Sequence, residues 1–287
     1  MKIGIGIPNA VPGTPGSTLI EWAKRAEDRG FHALATIDRF AYPTNDALTT
    51  LAAAGAVTSR IGLLTDILLA PAYEPVHLAK VTATVDQLSN GRLTLGLAPG
   101  GREDDYTVTG RDFAGRGAVF DDTLSLLRQA WRGQPVGGVT REAAPTPVRE
   151  HRVPILVGGS GERAIRRTAE WGDGWTSGGA PPEQAAVLIP RIQAAWAEAR
   201  RDGEPRLAAL AYYSLGDDAE AGSLAYLRDY YGFLGPYAET IAAGALRSEQ
   251  ALKGAVSAFA DAGFTEFYLM PTYADPDQVH RLADTVL

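Results

Sequence analysis

The sequence predicts a protein of the α/β class, a single (β/α)8 or TIM barrel in which eight parallel strands alternate with helices. Short apolar runs of strand length and segments of helical periodicity follow each other along the whole chain, an order that is typical of parallel strands. The chain has 287 residues, a length that one such barrel accommodates. No linker or break in composition divides the sequence, so we expect one domain over residues 1–287.

Composition and charge leave a small organic molecule as the expected partner. Hydrophobic residues make up 45% and charged residues 21% of the chain, as in globular proteins with a sizeable core. The net charge of -7 argues against nucleic acid or an anionic membrane surface, because both require a basic footprint. No apolar run approaches the ~20 residues that span a bilayer. The first residues lack the layout of a signal peptide, so we expect a cytoplasmic protein.

Residues for metal binding and for nucleophilic catalysis are missing or scattered. Cysteine is absent, which excludes disulfides, thiolate ligands and cysteine nucleophiles. The histidines, His32, His77, His151 and His280, show no ligand spacing, so no metal site is expected. A hydrolase or an aldolase is disfavoured, because no lysine falls at a strand end and no Ser-His-Asp order is present.

The first half of the chain contains four strand–helix units. Apolar runs predict strands at residues 2–8, 32–37, 61–69 and 92–98. Helical periodicity, with glycine or proline at several ends, predicts helices at residues 19–30, 46–59, 75–88 and 120–131. A polar loop over residues 102–117 precedes the last of these helices. We expect its acidic residues Glu103, Asp104 and Asp105 to form a solvated face, with the alternative that one of them contacts hydroxyl groups of a bound ligand.

The second half begins with a stretch of unusual composition at residues 133–152. It is rich in Gly, Pro, Thr and charged residues and has no periodicity. Because it is too long for an ordinary connection, we expect an excursion inserted after the fourth helix, lying over the strand ends and contributing to substrate choice. Further strands are predicted at residues 153–157, 174–176, 206–215 and 266–270. Further helices are predicted at residues 182–202, 219–243, 248–262 and 275–287.

Glycines and hydroxyls follow the fifth and sixth strands. Gly158-Gly159-Ser160-Gly161 predicts a tight turn into a helix, whose first N–H groups are unpaired and carry the positive end of the helix dipole. The sixth strand ends at Thr176, Ser177 and Gly178. In barrels of this kind the site lies at the carboxyl ends of the strands, so these two neighbouring ends predict a phosphate site. The alternative is that the glycines only turn the chain.

With the order of elements established, the chain resembles the luciferase-like monooxygenase family of flavin- and deazaflavin-dependent oxidoreductases. The resemblance begins in residues 61–101, IGLLTDILLAPAYEPVHLAKVTATVDQLSNGRLTLGLAPGG, where DQLSNGR matches the family's turn before the fourth strand. It continues in GRGAVFDDTLSLLRQAWRG, in PILVGGSGERA and in DGW. Each piece alone is weakly specific, whereas together they cover nearly the full chain.

The resemblance implies a cofactor, either FMN or the deazaflavin F420, lying across the strand ends. It places the phosphate at Gly158, Gly159, Ser160, Gly161, Thr176, Ser177 and Gly178. It places the ring against Thr65, Asp66, Ile67 and Ala98. It also implies a non-proline cis peptide behind the ring, and the matching bond joins Asp66 to Ile67.

Two departures from the family concern the predicted catalytic residues Asp38, Arg39 and Asp66. The family often has Asp-His after the second strand, where this chain has Asp38-Arg39, and arginine cannot act as a base. Arg39 either stabilises an anionic reduced ring or a substrate carboxylate, or pairs with Asp38 or an acidic loop residue. Asp66 stands where a small or neutral residue is usual. It either pairs with Arg39 beside the cofactor or caps a turn.

The expected function is hydride transfer between reduced F420, or FMN, and a small organic substrate. One alternative is an FMN-dependent monooxygenase that uses O2. A second alternative, favoured by the missing histidine, is a barrel that binds flavin without turning it over. The resemblance further implies a homodimer, for which the alanine-rich helix at residues 46–59 offers small side chains.

Overall fold

The closed barrel is confirmed. The structure is a computed structural model that describes residues 1–216 and 219–287, and in these residues eight parallel strands pair in sequence order, with the last strand beside the first. The strands are β1 (Lys2–Gly6), β2 (Ala33–Thr36), β3 (Gly62–Leu69), β4 (Leu93–Ala98), β5 (Ile155–Gly158), β6 (Gly174–Thr176), β7 (Arg206–Tyr213) and β8 (Glu266–Pro271).

Helices surround the barrel. They are α1 (Gly16–Asp28), α2 (Ala47–Val57), α3 (Pro75–Leu88), α4 (Glu103–Thr109), α5 (Arg116–Trp131), α6 (Glu162–Trp171), α7 (Pro182–Ala186), α8 (Ile189–Glu198), α9 (Ala219–Tyr230), α10 (Tyr237–Ala243), α11 (Glu249–Asp261) and α12 (Asp277–Val286). Short 3-10 helices lie at Pro8–Ala10, Ala70–Ala72 and Gly232–Leu234. Within the described parts of the chain, none of these helices is both long and apolar enough to cross a bilayer.

The core has two layers, one on each side of the strands. The larger layer fills the space between the strands and the helices and contains Trp22, Phe120 and Trp131, all fully buried. The smaller layer includes the barrel interior, with Leu64 and Leu156 among its members. Since side chains alternate between the two faces of a strand, the short apolar runs supply both layers at once.

Three helical predictions differ from the structure in detail. The polar loop at residues 102–117 contains α4, whose first turn carries three acidic residues that complement the helix dipole. The helix expected at residues 182–202 is divided into α7 and α8, because Pro190 in the first turn of α8 lacks an N–H and starts a new helix. The segment at residues 219–243 is divided between α9 and α10, where Gly235 and Pro236 stand.

The prediction that the excursion at residues 133–152 covers the functional strand ends is wrong. Its Val148 N–H donates to Asp86 Oδ2 across 2.8 Å, and its Thr146 carbonyl accepts from Gln87 Nε2 across 2.9 Å, both at the C-terminal end of α3. The segment that precedes a strand in a parallel barrel must arrive at the amino end of that strand. The excursion, including His151, therefore lies at the opposite end from the expected site.

Candidate active site

A cavity of about 260 Å³ opens at the carboxyl ends of β2 to β7. Its lining comes from strands β3, β6 and β7 and from the residues that follow β2, β4, β5 and β6. The end of α9 and the residues after it complete the lining. The lining residues are Ile37, Asp38, Arg39, Asp66, Ile67, Leu69, Gly100, Gly101, Arg102, Asp105, Gly158, Gly159, Thr176, Ser177, Gly178, Gly179, Leu210, Tyr212, Tyr230, Tyr231 and Phe233.

The turn between β5 and α6 has the geometry of an anion cradle. Gly159 has a φ of +120°, a region that side chains disfavour, so glycine permits the turn. No side chain caps the N-terminus of α6 at Gly161. A Cβ atom added at Gly161 or at Gly178 would meet nothing within 4 Å, so both glycines face open space. Uncapped N–H groups at the positive end of a helix favour a phosphate or carboxylate there.

The neighbouring strand end at β6 is held to this turn. Trp175 Nε1 donates to the carbonyl oxygen of Gly159 across 2.7 Å. The hydroxyl of Thr176 donates to Asp66 Oδ1 across 2.9 Å, and both side chains are buried. The ends of β3, β5 and β6 therefore form one hydrogen-bonded unit around the cavity.

Asp66 is a buried carboxyl group with an unused acceptor. The Asp66-Ile67 peptide is cis, as the family resemblance implied. Asp66 Oδ2 has no hydrogen-bond partner among the described residues. Burial raises the pKa of Asp66 to about 7, and the hydrogen bond from Thr176 only partly opposes this increase. The carboxyl group is therefore partly protonated near neutral pH, and its Oδ2 can donate a proton or a hydrogen bond into the cavity.

Asp38 is a second buried carboxyl group whose oxygens are both engaged. Oδ2 accepts the Leu69 N–H and Oδ1 accepts the Tyr73 hydroxyl, each across 3.0 Å. Burial raises the pKa of Asp38 to about 7, while these two hydrogen bonds favour the charged form and limit the increase. Tyr73 had no role in the sequence analysis, because only the fold brings the segment after β3 to the end of β2.

Arg39 pairs with the acidic segment after β4, and the predicted pair between Arg39 and Asp66 does not form. Arg39 Nε donates to Asp105 Oδ2 across 2.7 Å, and Nη2 donates to Asp104 Oδ2 across 3.1 Å. The alternative expectation, that Arg39 pairs with an acidic residue of the loop after β4, matches the observed contact. Asp66 instead accepts from Thr176, because this residue ends the strand that faces it across the barrel.

Asp105 is buried, so the prediction of a solvated acidic face is wrong for this residue. Its Oδ1 accepts the N–H groups of Phe40 and Ala41 across 2.8 and 2.7 Å. Helix α4 turns Asp105 inwards and leaves Asp104 half exposed. The signal that could have revealed this burial is helical periodicity in the short segment, because a helix places the neighbouring residues Asp104 and Asp105 on different faces.

Aromatic side chains from the long connection after β7 close one side of the cavity. The hydroxyls of Tyr212 and Tyr231 lie 2.7 Å apart and share a hydrogen bond. The guanidinium of Arg102 stacks over Tyr230 and over Phe233, with 4.3 and 4.1 Å to the ring centres. Sequence reasoning missed Tyr230, Tyr231 and Phe233, although aromatic residues recur between residues 226 and 237.

The predicted site residues gather at this end of the barrel, and most of them line the cavity. Those that line it are Asp38, Arg39, Asp66, Ile67, Gly158, Gly159, Thr176, Ser177 and Gly178. Thr65, Ala98, Ser160 and Gly161 are not among the lining residues. Thr65 is fully buried and donates to the carbonyl oxygen of Gly96 across 2.9 Å, so its hydroxyl serves the strand pairing.

Fold and cavity together define a (β/α)8 barrel with an anion cradle and three buried carboxyl groups, those of Asp38, Asp66 and Asp105, at the carboxyl ends of its strands. The chain belongs to the luciferase-like monooxygenase family, which matches residues 1–285.

Three similar proteins illustrate the range of this family's neighbours. A putative coenzyme F420-dependent oxidoreductase of Mycobacterium tuberculosis is 28% identical over 246 residues, covering 77% of this chain and 70% of the relative. The structure of an F420-dependent secondary alcohol dehydrogenase with an F420-acetone adduct has a TM-score of 0.80 at 22% identity, covering 100% and 98% of the two chains. The oxygenating constituent of 3,6-diketocamphane monooxygenase from Pseudomonas putida, in complex with FMN, has a TM-score of 0.77 at 16% identity, covering 100% and 98%.

The match to other curated relatives is partial. Uncharacterised mycobacterial proteins are 35% identical over 177 residues, so the aligned part spans 58% of this chain and 61% of theirs. The two structural neighbours are below 25% identity and establish the fold alone.

Proposed function

We propose that this chain is an oxidoreductase that transfers a hydride between reduced F420, or FMN, and a small organic substrate. The observation that carries the proposal is the joint presence, in one cavity, of an anion cradle and two buried carboxyl groups with raised pKa values. When bound, the cofactor supplies the hydride, whereas the protein binds and orients the cofactor and exchanges protons with the substrate. The F420-dependent relative supports this assignment.

The phosphate of the cofactor is assigned to the cradle formed by β5, α6 and β6. The N–H groups at the start of α6 are uncapped, and the hydroxyl of Ser177 lies beside the open space at Gly178. Helix N-termini bind phosphate without a lysine, which agrees with the lack of lysine among the described residues that line the cavity. Gly158, Gly159, Ser160, Gly161 and Thr176 complete the proposed cradle.

The ring is assigned to the region of Thr65, Asp66, Ile67 and Ala98. A flavin-type ring fits this position, because Asp66 Oδ2 is a buried polar atom that lacks a partner and lines the cavity. In its protonated form Asp66 donates from Oδ2 to a ring atom or to the substrate. This form also removes the repulsion that a carboxylate would exert on an anionic ring.

Asp38 and Arg39 have different proposed tasks. Asp38 exchanges a proton with the substrate, since a carboxyl group with a pKa near the working pH is effective as a general acid or base. Arg39 contributes positive charge and a donor, because its Nη1 is buried without a partner among the described residues and the side chain lines the cavity. Its pairing with Asp105 holds this donor in place.

A monooxygenase that uses FMN and O2 is the second candidate function. The fold shared with the FMN complex of the Pseudomonas putida oxygenase favours it. Anaerobic turnover separates the two candidates, because hydride transfer proceeds without O2 and oxygen insertion does not. A barrel that binds the cofactor without turning it over would show binding and no reaction with any substrate.

Titration of the purified protein with F420 and with FMN, followed by cofactor fluorescence, tests the proposal. We expect micromolar binding of one of the two. Binding of neither at that level would contradict the proposed function. A substrate screen with the bound cofactor in reduced form, run with and without O2, then distinguishes reductase from monooxygenase.

Residues 1–287 are also proposed to form a single domain that assembles as a cytoplasmic homodimer. The alanine-rich helix α2 leaves Ala52 and Ala53 half-buried and Ala56 exposed, so small side chains are available for close packing. Light scattering during size-exclusion chromatography measures the mass in solution. A monomeric mass at micromolar concentration would remove the dimer from the proposal.

A further inference from the structure

A second cavity, of about 500 Å³, lies beside the candidate active site. We call it the side chamber. It is enclosed by the loop after β6, the start of α7, the end of β7, helix α10 with the residues after it, and helix α11. The lining residues are Gly179, Ala180, Pro181, Pro182, Gln184, Leu210, Ala211, Tyr212, Tyr231, Tyr237, Thr240, Ile241, Gly244, Ala245, Leu246, Ala255 and Phe259.

The side chamber adjoins the active-site cavity. Gly179, Leu210, Tyr212 and Tyr231 line both spaces. The hydroxyls of Tyr212 and Tyr231 bond to each other across 2.7 Å, so the two rings mark the boundary between the spaces. The two spaces are therefore direct neighbours, and a molecule that passes this tyrosine pair would occupy both.

The two spaces differ in charge. The active-site cavity is lined by five ionisable side chains, those of Asp38, Arg39, Asp66, Arg102 and Asp105. Among the described residues, the lining of the side chamber includes no Asp, Glu, Lys or Arg. A charged group would lose hydration there without gaining an ionic partner, whereas an apolar group would gain from leaving water.

Apolar side chains from separate elements supply the walls. Ile241 comes from α10, Leu246 from the residues after it, and Ala255 and Phe259 from α11. Small residues, among them Ala211 on β7, leave the space between these walls open. An enclosed apolar space of this volume is within the range of small-molecule pockets.

We propose that the side chamber binds the apolar portion of the substrate, an uncharged alkyl chain or hydrocarbon ring, while the reactive group lies in the active-site cavity. The proposal rests on the proposed function for the identity of the reaction, and it adds the class of substrate. Substrates are neutral organic molecules with an apolar tail. Small polar or polyanionic molecules do not use this space.

Binding to the side chamber is testable without cofactor. The uncharged dye N-phenyl-1-naphthylamine becomes fluorescent in apolar surroundings, and we expect it to bind the purified protein. Linear 1-alkanols from butanol to decanol should displace it, with an affinity that increases about fourfold for each added methylene until the chamber is full. No dye binding, or displacement independent of chain length, would overturn the proposal.

Substitutions assign the binding to this space. Ala255→Phe fills the chamber and should weaken 1-octanol binding by about tenfold. Ala260→Phe on the same helix is the control, because Ala260 is exposed and does not line the chamber. Ile241→Ala removes apolar side-chain surface from the chamber wall and should weaken 1-octanol binding several-fold. This second variant keeps the test valid if Ala255→Phe fails to fold. Equal octanol affinity in the wild type and a folded chamber variant would overturn the proposal.

A competition experiment separates the side chamber from the cofactor site. With F420 or FMN present, 1-octanol should bind the chamber and leave cofactor affinity within about twofold, since the two ligands occupy adjoining spaces. Mutual exclusion would show that the chamber belongs to the cofactor and would overturn the inference. Failure of both cofactors to bind, with octanol binding intact, would instead contradict the proposed function alone.

Discussion

Arg39 Nε donates to Asp105 Oδ2 across 2.7 Å, with the arginine side chain 3% exposed and the aspartate side chain 0% exposed. This buried pair joins the segment after β2 to helix α4 and forms one side of the candidate active site. Asp105 also accepts the N–H groups of Phe40 and Ala41, so three consecutive residues after β2 depend on one carboxylate.

Removal of Asp105 should destabilise the protein strongly. Asp105→Ala leaves the Arg39 guanidinium buried without its main partner, and we expect a loss of about 3 to 5 kcal/mol in the free energy of unfolding. Asp104→Ala is the matched control, because the Asp104 side chain is 54% exposed and its pair with Arg39 should contribute less than about 1 kcal/mol. Urea unfolding of both variants measures the difference. Similar losses for the two would contradict a buried, structural ion pair.

The phosphate cradle predicts that a negative charge at position 161 weakens cofactor binding without lowering stability. Gly161 has no side-chain cap at the start of α6, so Gly161→Asp and Gly161→Asn should each cap the helix and leave stability equal or slightly higher. The aspartate should also repel a phosphate and weaken cofactor binding by about tenfold or more relative to the asparagine variant. Thermal unfolding and cofactor fluorescence provide the two measurements. Equal cofactor affinity in the two variants would count against a phosphate at this turn.

The buried carboxyl group of Asp66 predicts a pH-dependent cost to stability. Burial raises its pKa from 3.8 to about 7, so the folded state binds this proton more tightly than the unfolded state. The stabilising contribution of the proton is complete below the unfolded pKa and is lost as pH rises through about 7. Asp66→Asn removes this dependence. Relative to wild type, the variant should gain about 4 kcal/mol between pH 4 and pH 8.

Denaturant unfolding of the wild type and Asp66→Asn across that pH range measures the gain. A stability difference that does not change with pH would show that Asp66 is not held in a buried, proton-binding state.

The hydrogen bond from Tyr73 should lower the pKa of Asp38. Tyr73→Phe removes a donor that favours the carboxylate, so we expect the pKa of Asp38 to rise above its present value of about 7. Carbon-13 NMR titration of labelled aspartate, with the Asp38 signal identified from Asp38→Asn, measures it. Tyr106→Phe is the control, because Tyr106 is also buried but donates to the carbonyl oxygen of Pro99. An unchanged or lowered value in Tyr73→Phe would contradict the proposed contact.

Much of the fold and part of the site were predictable from the sequence. Local periodicity located all eight strands within two residues at each end, and turn chemistry located the glycine cradle at β5 and β6. The cis peptide at Asp66-Ile67 followed from the family resemblance. The excursion at residues 133–152 was assigned to the wrong end of the barrel, although the order of elements already determined the end at which a segment before a strand must lie.

The sequence by itself determined the alternation of strands and helices, the lack of cysteine, the net negative charge and the glycine turns. Each of these features depends only on neighbouring residues or on composition. The tertiary structure alone decided the partners of Arg39, Asp38 and Asp66. Those partners lie between 31 and 110 positions away in the chain. Barrel closure sets which distant side chains meet, and burial then raises the pKa of a carboxyl group that would otherwise be a charged surface residue.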